Sequence, residues 1–198
     1  DCHTKVPHKD NIINEHTAKV ACQTCHIPIY AKVNKTKTFW DWSKATKLKN
    51  GEPYHIDDED GNHTYLSEKG EFKWERNLEP EYVWFNGTAK HYLIEDTIKE
   101  IPLVLNPLGG NYKDLKAKIY PTKIMRTIQP YDPVQKKLVS FKLWDKEKGN
   151  NSLWKDFNWE KAIDSGMKYL DLPWSGQYDF IETQSYWLTN HMVAPKEK

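Results

Sequence analysis

The stretch Val20-Ala21-Cys22-Gln23-Thr24-Cys25-His26-Ile27-Pro28 decides how the rest of the chain is read. Two cysteines three positions apart fall on one side of a single helical turn. There both thiols can form thioethers to the two vinyl groups of a porphyrin. The next residue, His26, is then held beneath the ring with an imidazole nitrogen aimed at the iron. The pattern is that of a c-type haem attachment site. Three other readings of a close cysteine pair fit less well. A structural zinc needs four ligands, and Cys2 is the only other cysteine. A thioredoxin-like pair wants a βαβ context that the chain lacks. A plain disulfide would leave the adjacent histidine a coincidence.

The amino-terminal residues extend this reading. Asp1-Cys2-His3 has the form of the tail of a second attachment motif, with Cys2 as its surviving thiol and His3 as its axial histidine; the bland alternative is an unpaired cysteine beside an ordinary histidine. The chain begins without Met on this pair, so it reads as a piece of a longer multihaem cytochrome. His3 and His26 are then the proximal ligands. A low-spin electron-transfer haem needs a second axial ligand, and His16 and His8 precede the complete motif. His16 is the first choice and His8 the second. His16 lies too close to Cys22 in sequence to reach the far face of the same porphyrin, so it is expected to serve a neighbouring haem. Either histidine could instead sit on a lysine-rich surface. His191, among the aromatics of Tyr186-Trp187-Leu188-Thr189-Asn190-His191-Met192, is a distant axial ligand or a buried structural histidine.

Composition bounds these readings. The chain has 198 residues, 38% hydrophobic and 29% charged, with a mean hydropathy of −0.86. Aliphatic core material is therefore scarce. Aromatics reach 13%, with nine Trp and eleven Tyr, too many for a disordered polyelectrolyte. Such a chain folds by burying rings, here in part against porphyrin. A net charge of +1 gives no basic face for nucleic acid. No apolar run approaches membrane-spanning length. Because haem c is attached outside the cytoplasm in bacteria, the expected location is the periplasm or the cell exterior.

The expected fold class is α+β with much irregular structure: a haem c-binding segment over residues 1–37, then a region of β-hairpins with one or two helices over 38–198. Trp40-Asp41-Trp42-Ser43 reads as an anchor, with both indoles packed on a core or a porphyrin edge and the Asp accepting an N–H. Turn signals at Asp60-Gly61, Lys69-Gly70 and Asn86-Gly87 predict a β-meander across 51–105, the last being the strongest hairpin signal. His91 then falls in a strand-like run, Lys90 to Ile94, while His55 and His63 lie in polar hairpins. Gln129-Pro130-Tyr131-Asp132-Pro133 reads as turn-rich. Lys123, Arg126, Lys136 and Lys137 read as a solvated face, with oxyanion attraction as the alternative. A helix is predicted over 157–171, with Asn158 as N-cap and Trp159, Ala162, Ile163, Met167 and Leu170 at helical spacing.

From Val20 onward the chain resembles the carboxy-terminal portion of the octahaem tetrathionate reductase family of multihaem cytochromes c. The stretches that carry the likeness are Val20 to Pro28, Trp40-Asp41-Trp42-Ser43, Trp84-Phe85-Asn86-Gly87-Thr88, Gln129 to Pro133, Ala162 to Tyr169 and His191 to Lys198. The resemblance implies a soluble periplasmic enzyme with eight haems, a haem-dependent oxidoreductase. It would reduce a small oxyanion, tetrathionate or nitrite, or else hydroxylamine, at a lysine-ligated haem. An electron-donor cytochrome or quinol dehydrogenase would supply it. With one complete motif here, most of the haems and the substrate haem are expected upstream of Asp1, and no catalytic residue carries over. The non-enzyme alternative is a multihaem wire that only passes electrons between partners.

Residues 1–30 bury too little apolar surface to offset their ordering entropy without haem. In a haem-free sample their amides are therefore expected to exchange without protection. Protection throughout the segment would contradict this.

Overall fold

The computed structural model describes residue 4 and residues 6–190. Cys2, His3 and His191 lie outside the described residues. The chain is mixed α+β with much irregular backbone, as its sequence predicts, and among the described residues it holds a sheet of nine strands and four short α-helices.

One strand organises the sheet. β7 runs without interruption over Lys118–Asp132. β9, Asp179–Leu188, pairs antiparallel with it from Thr122↔Leu188 to Tyr131↔Asp179. The other edge of β7 is shared in succession. β5, Glu81–Phe85, covers residues 118–122, β1, Thr36–Asp41, pairs in parallel at Phe39↔Arg126 to Asp41↔Ile128, and β8, Lys137–Leu138, closes the end. Beyond β1 the sheet continues as an antiparallel meander of β4, Gly70–Glu75, β3, His63–Leu66, and β2, His55–Asp57. β6, Leu103–Val104, lies parallel to β9 on its far side.

The reading of Gln129 to Asp132 as a turn is corrected: these residues continue β7. Pro121 and Pro130 lack an N–H, but their carbonyls still accept bonds, Pro121 from Thr189 N at 3.0 Å and Pro130 from Val139 N at 3.5 Å. The turn follows at 133–136. It is pinned by Asp132, 1% exposed, whose carboxylate accepts the N–H groups of Val134, Gln135 and Ser175. The Asn86-Gly87 hairpin is also corrected. β5 finds its partner in β7, and the Asn86 side chain serves its own loop, accepting from Thr88 N at 3.0 Å and donating to Asp114 at 2.8 Å. His91 consequently sits in exposed irregular chain.

The predicted helix forms as α4, Trp159–Tyr169, with the Asn158 side chain accepting from Lys161 N. Its buried residues, Trp159, Ala162, Ile163, Gly166 and Met167, repeat at three- and four-residue steps and form one stripe. They meet Trp42, Ala45, Val139 and Leu153, the last from the short helix α3, Leu153–Asp156. Gly166 is more than a weak helix former. A Cβ there would lie 2.6 Å from Phe141 Cα, so only glycine lets the helix approach that backbone.

The Trp40–Ser43 anchor is as expected. Trp42 is 8% exposed and stacks on Trp40 with centroids 4.4 Å apart; the Trp40 indole donates to Lys69 O at 2.7 Å. Asp41 accepts an N–H, that of Ser43. On the β1–β4 surface, the ammonium of Lys37 lies over the rings of Phe72, Trp40 and Trp74, at 3.5, 4.6 and 4.9 Å from their centroids. The rings attract the charge through their faces, yet burial, with Lys69 and Lys123 nearby, pushes its pKa down to about 8.

This has a pH consequence of definite sign. The unfolded chain holds its proton up to the ordinary lysine value of 10.5, so the folded state releases it first. Stability therefore rises as the pH climbs through about 8. Lys37→Met keeps the packing and removes the charge. Denaturation midpoints across this range should show the rise in the parent protein and a smaller one in Lys37→Met.

Candidate functional site

The Cys22-Gln23-Thr24-Cys25-His26 stretch folds as one short helix, α2, Cys22–His26. It buries no residue of its own and has no side-chain N-cap, so its placement comes from what it is tied to. Ahead of it, Val20 forms a bridge to Ile119 at the start of β7. Ile119 N donates to Lys19 O at 2.8 Å, and Ile119 O accepts from Ala21 N at 3.0 Å and Thr24 Oγ1 at 2.7 Å. Behind it, Ile27 is fully buried beside Tyr30, Ala31 and Leu78. Tyr30 and Leu78 exchange backbone hydrogen bonds of 2.8 and 3.1 Å. The helix is thus held at both ends by the sheet region.

The chemistry faces outward from this mount. Cys22 is half-buried, Cys25 exposed, and both are free thiols. His26 is exposed. Separated by three residues, the two sulfurs project from one side of the turn, as the spacing requires.

His8 comes next to this group from a separate element. α1, Asn11–His16, is capped by Asp10, which accepts from Ile12 N at 2.8 Å. Asn14 of α1 reaches back to His8, its Oδ1 accepting from His8 N at 3.0 Å and its Nδ2 donating to His8 O at 2.8 Å. This two-point clamp sets the His8 backbone. The His8 ring lies 5.9 Å, centroid to centroid, from the His26 ring, with the planes 5° apart. His16 is exposed at the carboxy-terminal end of α1.

Of the residues proposed from sequence, the structure brings together Cys22, Cys25, His26 and His8. Among the described residues no group of three or more His, Cys, Asp or Glu side chains converges as a bare metal ion would require. The donors are instead spread as two thiols along a helix face and two parallel imidazoles. That arrangement suits a porphyrin held at its edge and along its axis. α1 buries no residue, and Val6, Ile12 and Ile13, 65%, 65% and 44% exposed, leave apolar surface in the segment that carries His8. The residues missed from sequence are Asn14, Thr24 and Ile119. None carries chemistry, and Ile119 acts through its backbone alone, so nothing in its side chain could have signalled it.

The basic residues of β7 do not form an anion site. Arg126 pairs with Glu81 at 2.7 Å, and Lys123, its pKa lowered by burial, donates to Thr36 Oγ1 at 2.6 Å. Lys136 and Lys137 lie at the opposite end, at the β7–β8 turn. His55 and His63 flank Asp57 on the exposed β2–β3 hairpin, with His63 Nδ1 2.6 Å from the carboxylate.

The family described as bacterial cytochrome c matches residues 37–198, the sheet region that carries α2. The chain is also similar to the octahaem cytochrome c of Shewanella oneidensis in its crystal structure. The two are 40% identical, with a TM-score of 0.88 over 99% of this chain and 45% of that one. The chain thus spans less than half the length of that protein. No curated protein matches. Among the described residues, no helix is long and apolar enough to cross a membrane.

The mount predicts a stability effect centred on the site. Ile27→Ala should cost about 2–5 kcal/mol, the usual range for emptying a fully buried aliphatic position. Chemical denaturation measures the loss. In the haem-loaded protein, amide exchange should rise first at residues 22–31 and leave the β7–β9 pairing protected.

Proposed function

The chain belongs to the bacterial cytochrome c family, and we propose that it forms a haem-bearing relay segment of an extracytoplasmic multihaem reductase. The observation that carries this reading is the pair of free thiols and the exposed histidine on one sheet-mounted helix. Cys22 and Cys25 would each add S–H across a porphyrin vinyl group, the sulfur bonding one carbon and the hydrogen the other, with no net oxidation. His26 would supply a nitrogen ligand to its iron. A haem c bound there supplies a one-electron iron centre whose potential depends on axial ligands, hydrogen bonding and burial.

The chain's own residues then have three tasks. Ile119 and Thr24 hold the thiols at a fixed height on the sheet. Ile27 and Leu78 keep the histidine-bearing end from fraying. Val6, Ile12 and Ile13 leave apolar surface in the His8 segment that a bound porphyrin would cover in part, worth about 25 cal/mol for each Å² covered. None of these tasks is bond-breaking chemistry, so in this reading the segment delivers electrons and the substrate is reduced elsewhere in the longer protein.

For the intact protein we infer reduction of tetrathionate, with nitrite or hydroxylamine as further substrates. An electron-donor cytochrome or quinol dehydrogenase would be the partner, and the periplasm the location. The sequence resemblance to octahaem tetrathionate reductases supports this. A cytochrome that only carries electrons would share everything described here and would lack turnover.

Two measurements test the proposal. After expression with the haem attachment machinery and denaturation, the peptide containing Cys22 and Cys25 should carry haem by mass, and Cys22→Ala/Cys25→Ala should lack it. A haem-free peptide with two titratable thiols overturns the attachment reading. The intact protein should oxidise a reduced viologen dye when tetrathionate is added. Oxidation by none of the three substrates would leave the wire cytochrome as the function.

A further inference from the structure

We propose that the loop over residues 111–118 is the docking surface for an electron-donor protein that presents a carboxylate-rich patch; this rests on the haem attachment proposed above. The chain as a whole is almost neutral. This loop, Asn111-Tyr112-Lys113-Asp114-Leu115-Lys116-Ala117-Lys118, carries three lysines and one acid.

The first observation is what the loop displays. Tyr112 is 66% exposed and Leu115 89%, and Lys113 and Lys116 beside them are exposed as well. A lone exposed apolar residue needs no explanation. Here an aromatic and an aliphatic side chain share one short loop with cations between and beside them, the composition of a small interface centre with a charged rim. The Lys113 ammonium lies 5.5 Å from the centroid of the Tyr112 ring. Among the described residues, none of Lys113, Lys116 and Lys118 is in an ion pair.

The second observation is that the loop is tied into this shape. Ala117 is fully buried. Lys113 N donates to Asn111 Oδ1 at 2.9 Å and Lys116 N to Asp114 Oδ1 at 2.8 Å. The Asp114 carboxylate also accepts from Asn86 Nδ2 at 2.8 Å. These bonds, with Lys19 and Lys116 nearby, hold it below the usual carboxylate range. The one acid of the loop is therefore engaged by its own scaffold. A surface ordered in advance loses little freedom when a partner arrives.

The third observation is position. Asp114 O accepts from Lys19 Nζ at 2.8 Å, and Lys19 leads through Val20 and Ala21 into Cys22. Lys118 leads directly into Ile119, which holds α2 to the sheet. A donor seated on Tyr112 and Leu115 is thus beside the haem mount. It would pass one electron to the ferric iron held there; the donor's cofactor is oxidised, the iron is reduced, and no bond forms or breaks. The lysines would steer the encounter. An anionic lipid surface attracts lysines too, but membrane binding of that kind relies on an amphipathic helix or a lipid chain, and this loop has neither.

The test uses the intact haem-loaded protein with a reduced plant-type ferredoxin as probe, a small acidic one-electron donor. Stopped-flow absorbance reads haem reduction. Lys113→Glu/Lys116→Glu should slow it about tenfold or more at low ionic strength and remove most of its dependence on salt. Lys136→Glu/Lys137→Glu, the same charge change at the far end of β7, should leave it close to the parent rate. Leu115→Ala should slow it at high salt as well, where steering is screened. Carbodiimide coupling of the unsubstituted pair, read by peptide mass, should join ferredoxin carboxylates to Lys113 or Lys116. Equal effects of the two charge reversals overturn the proposal. So does coupling confined to other lysines, as would follow if the rest of the longer protein covered the loop. If Lys113→Glu/Lys116→Glu releases the protein from phosphatidylglycerol vesicles without slowing ferredoxin, the occupant is a lipid surface and the proposal fails. Each of these failures leaves haem on the Cys22–Cys25 peptide. Its absence there from the unsubstituted protein defeats the attachment reading, and the docking proposal with it.

Discussion

Everything at the site depends on the backbone of one residue, Ile119. Its N–H and C=O bind the chain on both sides of the entry to α2, through Lys19 O, Ala21 N and the Thr24 hydroxyl. Each such bond contributes about 0.5–1.5 kcal/mol net. Their larger effect is geometric, because α2 has five residues and no buried face, and a helix that short does not persist unaided. The sheet provides the rigidity that the motif lacks.

β7 can serve this purpose because it is held along its whole length. β9 covers one edge, while β5, β1 and β8 share the other. Such a strand has no freedom to slide, since a slip of one residue would reverse its faces. The aromatic core lies toward the opposite end, where α4 packs on Trp42 and, at Gly166, closely on the backbone of Ser140 and Phe141. The packing that stabilises the fold and the residues that carry the chemistry are thus separated along one continuous element. This is why a chain so poor in aliphatics can present two thiols and a histidine at its surface.

Features governed by local rules were legible in the sequence. The cysteine spacing gave the thiol pair, and Asn158 with its apolar stripe gave α4 within two residues at each end. Trp40-Asp41-Trp42 gave an anchor. Features decided at long range were not. Gln129 to Pro133 read as a turn, and it is pairing with β9, β5 and β1, all distant in sequence, that holds residues 118–132 as one strand. Asn86-Gly87 has hairpin chemistry, but β5 pairs with β7 rather than with a strand next to it in sequence. Asn14, which fixes His8 by bonding to its backbone, follows no pattern that a reading of side-chain types would find.

The parallel pairing of β1 with β7 also bears on how the protein matures. It joins segments far apart in the chain, the kind of contact that closes slowly because a long loop must be ordered first. Ile119 lies further back along β7, where it is paired with Trp84 of β5, a contact that also spans a long loop. Until these pairings form, residues 22–26 lack the mount that makes them helical. If haem is attached at Cys22 and Cys25 as proposed, a slowly assembling sheet would leave both sulfurs on loose chain for the attachment step, with docking of the loaded helix afterwards.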